Sequence, residues 1–478
     1  MALQFFNTRT RSKEPFMPVT DIVRLYTCGP TVYNYAHLGN FRTYIFEDLL
    51  RRYLEFKGYT VKQVMNLTDV DDKTIKGSQA EHTPLAAFTK KYKDAFFADI
   101  KTLNIEPADV YPEATMHVKE MILLIKALLK KGLAYKGEDG SIYFSIKKFP
   151  GYGKLSHTPI ENLQAGARVK QDEYEKESAA DFALWKAWDE QDGPVFWESP
   201  LGKGRPGWHI ECSAMSMKHL TTVFDDGFHP ERFETIDLHT GGVDNLFPHH
   251  EDETAQSEGV TGKRFVNFWL HAEHLIVDGK KMSKSLGNFY TLRDVLAKGY
   301  LPKAIRYCLL STHYRQQLNF TFDSLAAAQT VITRFRDFML KLNELVSKHQ
   351  DAVDEKIAAY IAKAREDFTI ALDDDLNISE GLAVLFEFMR LINTLMPEMS
   401  GSDAAAVLSF VEELDTVLGL LDFDEETLDP ELQALIEQRE DARAKRDYKR
   451  ADQIRKALSD KGIILEDTPQ GVRWKKEL

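Results

Sequence analysis

The stretch Tyr26–Asn40, YTCGPTVYNYAHLGN, decides the fold. The apolar run Val23-Arg24-Leu25-Tyr26 leads into it and reads as a buried strand. It leaves through His37-Leu38-Gly39-Asn40 into FRTYIFEDLLRRYLEFKG. There Ile45, Phe46, Leu49, Leu50, Tyr53 and Leu54 recur at helical spacing, and Gly58 stands where a C-cap would. TVKQVMNLTDVDD then alternates as a second strand. Strand, helix and strand at this spacing form a βαβ unit, so the chain opens as a parallel sheet. Ligands of open α/β sheets bind beyond the carboxyl ends of the strands, and helix amino termini favour phosphates. Cys28 stands at such a strand end and His37–Asn40 at such a helix start. One short segment therefore offers a metal ligand and a nucleotide site.

The chain has 478 residues, more than one hydrophobic core covers, so several domains are expected. A net charge of -13 argues against a generally basic nucleic-acid coat, while a local basic groove stays compatible with it. Three cysteines, Cys28, Cys212 and Cys308, make no disulfide framework and point to a reducing, cytoplasmic setting. No stretch is long and apolar enough to span a bilayer, and MALQFFNTRTRSKEPF lacks a signal-peptide core, so no membrane partner is expected.

Between about Lys73 and Pro200 helical stretches alternate with short strands and loops without catalytic spacing, which reads as an insertion between two halves of the sheet domain. GRPGWHIECSAMSMKHL returns to that domain, with a helix from Trp208 to Leu220. FETIDLHTGGVDNLFPHHEDETAQSEG predicts a strand over Phe233–Leu238, a turn with paired glycines, and a helix bearing His249, His250 and Glu253. RFVNFWLHAEHLIVDG supplies further strand material, and the loop KKMSKSLGN comes after it. Beyond Tyr290 the apolar period is helical to about residue 420, with LDDDLN opening one helix as an acidic cap. The tail carries a basic helical run, QREDARAKRDYKRADQIRKAL, and a strand-turn-strand, GIILEDTPQGVRW. The expected fold is α/β: a Rossmann-like parallel-sheet domain with an insertion, then a helical bundle and a small C-terminal module. The expected boundaries are 1–75 and 200–290 for the two sheet halves, 76–199 for the insertion, 291–420 for the bundle and 425–478 for the module.

Of the acidic cluster Asp69, Asp71 and Asp72, the last two read as a solvated turn and helix N-cap, and Thr68 reads as a residue lining the crevice. His249 and Glu253 are four apart on a predicted helix and share a face. With Cys28 and Cys212 they make a plausible tetrahedral zinc set. Two buried thiols beside a helix-surface His/Glu pair fit the spacing equally well. His37-Leu38-Gly39-Asn40 and Lys281-Met282-Ser283-Lys284-Ser285 are each uninformative alone; their order, each after a predicted strand, is the stronger signal.

That pair resembles the signature motifs of class I aminoacyl-tRNA synthetases. CGPTVYNYAHLGN, GWHIECSAM, TGGVD before FPHHEDE, and KMSKSLGN together resemble the cysteinyl-tRNA synthetases over essentially the whole chain. The resemblance implies one zinc ion per chain, held by Cys28, Cys212, His249 and Glu253, and a cysteine pocket containing Thr68 and Trp208. It implies ATP-site roles for His37, Asn40, Gly241, Asp244 and Lys284, with Lys281 in a mobile loop and His37, Asn40, Lys281 and Lys284 acting in catalysis. ATP with Mg2+, L-cysteine and tRNA(Cys) are the implied substrates and partners of a monomeric enzyme. The stem-contact region lies at the start of the bundle, and the last module reads the anticodon end. The helical run there carries Arg443, Lys445, Arg446, Lys449 and Arg450 for contact with an RNA backbone, with Trp474 available to stack on an unpaired base; a solvated charged helix with a buried tryptophan is the other reading. Two departures stand out: Asn40 replaces the second histidine common in the first motif, and Thr240 shortens the glycine run. A cysteine ligase acting on a small amine, and a non-catalytic zinc-containing RNA-binding paralogue, are the alternatives.

Overall fold

The computed structural model describes residues 2–158, 181–347, 352–421, 429–468 and 471–476. At its centre lie four parallel strands, β1 (Ile22–Thr27), β2 (Thr60–Met65), β3 (Ile236–Gly242) and β4 (Val266–Ala272), in the order β4-β3-β1-β2. The chain leaves β1 in opposite directions across the sheet, to β2 on one side and eventually to β3 on the other. The crevice between the carboxyl ends of β1 and β3 is thus the topological switch point, where open α/β sheets bind ligands.

Alternation along the strands sends successive side chains to opposite faces. Leu25 joins the core that runs under helix α1 (Leu38–Phe56) into the bundle. Tyr26 joins a second core with α2 (Trp208–Leu220), α3 (Glu251–Thr261) and the insertion. α1 begins where expected because His37 and Asn40 cap it reciprocally: Asn40 N–H donates to His37 Nδ1 at 3.2 Å and His37 N–H to Asn40 Oδ1 at 3.1 Å. It ends at Phe56, and Gly58 at φ +85° reverses the chain toward β2.

Two buried arginines tie α1 to the helical region beyond the sheet. The Arg42 guanidinium donates to the carbonyls of Leu309, Thr312 and His313, closing the end of the helix Pro302–Leu310. From that same helix Arg306 reaches Asp48 on α1 and the carbonyl of Leu418. The bundle helices Phe322–Val346, Glu355–Asp373, Ile378–Leu395 and Gly401–Leu418 thereby share the core of the sheet domain.

Several predicted boundaries move. β3 starts at Ile236, where its pairing with Val266 of β4 begins; it then runs through both glycines, which are strand residues and not a turn. His249 and His250 lie in a turn of π-helix, Leu246–His250, that runs directly into α3, so one helical run bears His249, His250 and Glu253 as expected. Pro248 disfavours helical backbone at Phe247, which is extended at φ -138°, ψ 126°. Of LDDDLN, Asp375 and Leu376 take left-handed backbone between two helices, and Asn377 is the cap. Asp71 is an N-cap as expected, while Asp72 pairs with Lys186 and Arg205 of the insertion. The insertion's antiparallel sheet also includes Gly204–Pro206, past residue 200.

The C-terminal module is a helical hairpin, Pro430–Ala444 and Tyr448–Asp460, closed by the antiparallel strands Ile463–Thr468 and Gly471–Lys476 around a small core of Ile436, Ile454, Leu458, Ile463 and Leu465. The basic run is thus two helices, broken at Arg446, which is left-handed at φ 60°. Arg443 is paired with Asp467. The Trp474 side chain lies outside the described residues. Among the described residues no helix is long and apolar enough to cross a membrane.

Candidate functional site

A cleft of about 580 Å³ opens at the switch point. Cys28 and the loop after β1, the start of α1, Thr68 after β2, Trp208 and Cys212 of α2, and Gly242 and Asp244 after β3 line it, with Lys281 and Met282 at its rim. Cys28, Thr68 and Asp244 meet here because each comes after a strand of the central sheet, while Trp208 and Cys212 come in after Gly204–Pro206 of the insertion's sheet. Close packing fixes the backbone: a Cβ on Gly29 would stand 1.8 Å from the carbonyl oxygen of Asn66.

At one end the donor atoms of Cys28, Cys212, His249 and Glu253 all lie within 4.8 Å of one another, and all four residues are buried. Two thiols, one imidazole and one carboxylate form a borderline-soft, four-donor set of the kind that holds zinc. Glu253 Oε1 stands 3.1 Å from His249 Nε2 without accepting a hydrogen bond, an arrangement suited to two donors sharing an ion. The neighbouring Cys212 sulfur and burial push the Cys28 thiol up, while the Cys28 thiol beside it lowers Cys212 against its own burial. The Trp208 ring stacks on His249 at 4.2 Å, and both line the cleft together with Cys28 and Cys212.

Behind this set lies a histidine chain that the sequence reading missed. His250 Nε2 faces Cys28 Sγ at 3.2 Å, its Nδ1 meets His271 Nε2 at 2.8 Å, and His271 Nδ1 meets the Thr8 hydroxyl at 2.8 Å. His239 Nε2 lies 3.0 Å from Glu253 Oε2 and its ring stacks on Trp269 at 4.4 Å. Burial lowers His239 and His271 to about 3, so both are neutral imidazoles. The donor atoms of Cys28, His239, His250 and Glu253 likewise lie within 4.8 Å of one another. Their signal in the sequence was thin: His239 and His271 read as ordinary strand residues, and only pairing β3 with β4 brings them together.

At the other end, His37 both caps α1 and lines the cleft. Burial lowers its imidazole below the ordinary value, against the Asp244 carboxylate, which raises it. A Cβ on Gly39 would stand 2.9 Å from the His37 ring, which explains the glycine there. Asn40 lines the cleft too, with its amide oxygen already engaged by the His37 N–H. Gly242 and Asp244 line it, whereas Gly241 faces His250. Thr240 has a partner of its own: its hydroxyl donates to the buried Glu47 at 2.7 Å. The first motif meets the segment just past the second, Leu38 N–H donating to the Tyr290 carbonyl at 3.0 Å. Lys281 lies at the rim, but Lys284 stands outside the lining, 5.2 Å over the Phe289 ring, whose edge meets His37 at 5.1 Å.

A family described as tRNA synthetases class I (C) catalytic domain matches residues 16–330, a DALR domain family residues 367–422, and a cysteinyl-tRNA ligase anticodon binding domain family residues 425–474. A cysteine--tRNA ligase of Protochlamydia amoebophila is 52% identical over 483 residues, covering 99% of this chain and 98% of that one. The chain belongs to the cysteine--tRNA ligase family. A second such ligase, from Brachyspira hyodysenteriae, is 50% identical over 482 residues and covers 99% of both chains. At the level of fold alone, a Mycobacterium tuberculosis methionyl-tRNA synthetase in complex with methionyl-adenylate superposes with a TM-score of 0.60 at 15% identity, covering 83% of this chain and 90% of that one. The class I fold of this ligase family is therefore the parallel-sheet architecture described above.

Proposed function

We propose that this chain activates L-cysteine with ATP and transfers it to tRNA(Cys). One observation carries the reading: a thiol-seeking donor set and a phosphate-facing helix terminus share a single cleft. Cys28, Cys212, His249 and Glu253 would hold one zinc ion, which when bound supplies a Lewis acid with a preference for sulfur. Thr68 and Trp208 bound the amino-acid end. His37, Asn40 and Asp244 surround the nucleotide end, with the first turn of α1 offering positive potential to phosphates.

In the first step an oxygen of the substrate carboxylate attacks the α-phosphorus, and the bond to pyrophosphate breaks. No general base is needed, because the carboxylate is ionised at neutral pH. ATP enters with Mg2+. Donors on His37, Asn40, Lys281 and Lys284 would stabilise charge that grows on the phosphates. For Lys284 this requires the loop to swing inward from its seat on Phe289. In the second step a terminal ribose hydroxyl of the tRNA attacks the adenylate carbonyl and AMP leaves.

The reading assigns residues 1–75 and 200–290 to catalysis, 76–199 to a connective insertion, 291–420 to the bundle with a stem contact at its start, and 425–478 to the anticodon end. A cytoplasmic monomer fits it. ATP–pyrophosphate exchange tests the whole: it should require L-cysteine and proceed without tRNA, while charging requires tRNA. Exchange indifferent to cysteine overturns the reading.

A further inference from the structure

Arg293 takes no part in the mechanism above, yet it joins three parts of the molecule. It stands in the short helix Leu292–Leu296, just past the lysine-bearing loop. Its Nη2 lies 3.1 Å from Asp99 Oδ1, on the insertion helix Leu85–Thr102, and its guanidinium carbon lies 4.9 Å from the centre of the Tyr35 ring. Tyr35 lines the cleft. Asp99 is buried, and the Arg293 charge works against the rise that burial imposes on its carboxyl. A guanidinium suits this double contact, because its plane stacks on a ring while its edge holds a carboxylate.

The loop itself is a braced flap with two tied roots. Asn288 Nδ2 donates to the Lys281 carbonyl at 3.2 Å, and Asn288 Oδ1 accepts from Ser283 N–H at 2.8 Å. The first root is at Asp278 and Gly279, left-handed at φ 49° and 73°. There Asp278 N–H donates to the Phe320 carbonyl at 3.1 Å and Gly279 N–H to Asn319 Oδ1 at 2.8 Å. The second root is the segment 290–294. Its Tyr290 carbonyl is held by Leu38 N–H of the first motif, and Thr291 caps the short helix by exchanging bonds with Asp294. Arg293 then ties this root sideways, to the insertion and to the cleft wall.

Resting on the proposed activation of L-cysteine, we infer that Arg293 is a positioning residue: clamped between Asp99 and Tyr35, it fixes the second root so that Lys281 and Lys284 reach the phosphates in register. A pivoting flap carries any error at its root out to its tip. Misplacement by about 1 Å at a reacting centre costs on the order of 10²-fold in rate. The insertion helix thereby contributes to activation without touching a substrate.

Pyrophosphate exchange on the full chain tests this. Arg293→Gln should lower kcat by about tenfold and leave KM for cysteine within about twofold. The lysines act on charge that grows in the transition state, and the amino-acid end is untouched. Asp99→Asn removes the opposing charge from the far side of the clamp and should show the same split at smaller size. In a chain that already carries Lys281→Ala and Lys284→Ala, Arg293→Gln should cost less than about twofold, since no lysine is left to place. A full-sized loss in that background, an unchanged kcat, or a change confined to KM for cysteine overturns the inference. If Arg293→Gln fails to fold, Asp99→Asn decides in the same two backgrounds. A native chain without cysteine-dependent exchange overturns the activation reading and this inference together. Native exchange with any of those three outcomes overturns this inference alone.

Discussion

Glu253 Oε1 lies 3.1 Å from His249 Nε2, and its other oxygen lies 3.0 Å from His239 Nε2. One carboxylate therefore joins the expected donor set to a second histidine layer. With burial pushing Glu253 well up and no hydrogen bond on Oε1, the ionised form needs a cation at this point.

Purified protein should accordingly carry about one zinc per chain. Cys212→Ser or His249→Ala should lower metal occupancy and cysteine activation together, on the scale that loss of a ligand produces. Metal analysis beside pyrophosphate exchange checks this. A variant that lost zinc and kept the native activation rate would falsify the assignment.

His37 has two duties that a single substitution can separate. Asparagine is a good N-cap, so His37→Asn should leave thermal stability within about 1 kcal/mol while removing the imidazole from the nucleotide end. Its activation rate should fall by about 10²–10³, the usual loss for one donor at a charge-developing centre. Melting curves and exchange rates on the same preparation decide it; parallel losses would reduce His37 to a cap.

The buried Glu47 predicts a pH dependence of stability. Burial raises its carboxyl to about 8, against the Thr240 hydroxyl that donates to it. In the unfolded chain a glutamate releases its proton near pH 4.3. Between those values the folded state holds the extra proton, so this contribution is complete below about pH 4, declines as pH rises, and is gone above about 8. Glu47→Gln keeps an acceptor for Thr240 and removes the titration. The melting temperature of the variant relative to native should therefore climb from pH 5 to pH 8. A constant difference across that range would show that Glu47 is ionised in the folded protein.

The C-terminal module has its own small core, so it can be removed without opening the sheet domain. Deletion from about residue 425 should leave cysteine-dependent pyrophosphate exchange largely intact and cripple tRNA charging. The charging that remains should be less sensitive to salt, because phosphate contacts are lost. Native charging by the truncated protein would remove the module from tRNA recognition.

The sequence by itself determined the βαβ start, the caps and the ends of the first helix, the helix Trp208–Leu220 and the two signature loops. These rest on local periodicity and capping chemistry, which act within a few residues. Residue type and spacing left the four expected metal donors and two plain buried thiols equally good readings, since no local rule joins Cys28 to Cys212; the resemblance chose between them. Tertiary structure decided what depended on neighbours far along the chain. Pairing with β4 set where β3 begins and carried Gly241 and Gly242 into the strand, and Pro248 placed a break at Phe247 just ahead of the two histidines. The histidine layer and the carboxyl of Glu47 became visible only in three dimensions. Their chemistry comes from burial beside particular partners, and a sequence states residue type without stating what surrounds it.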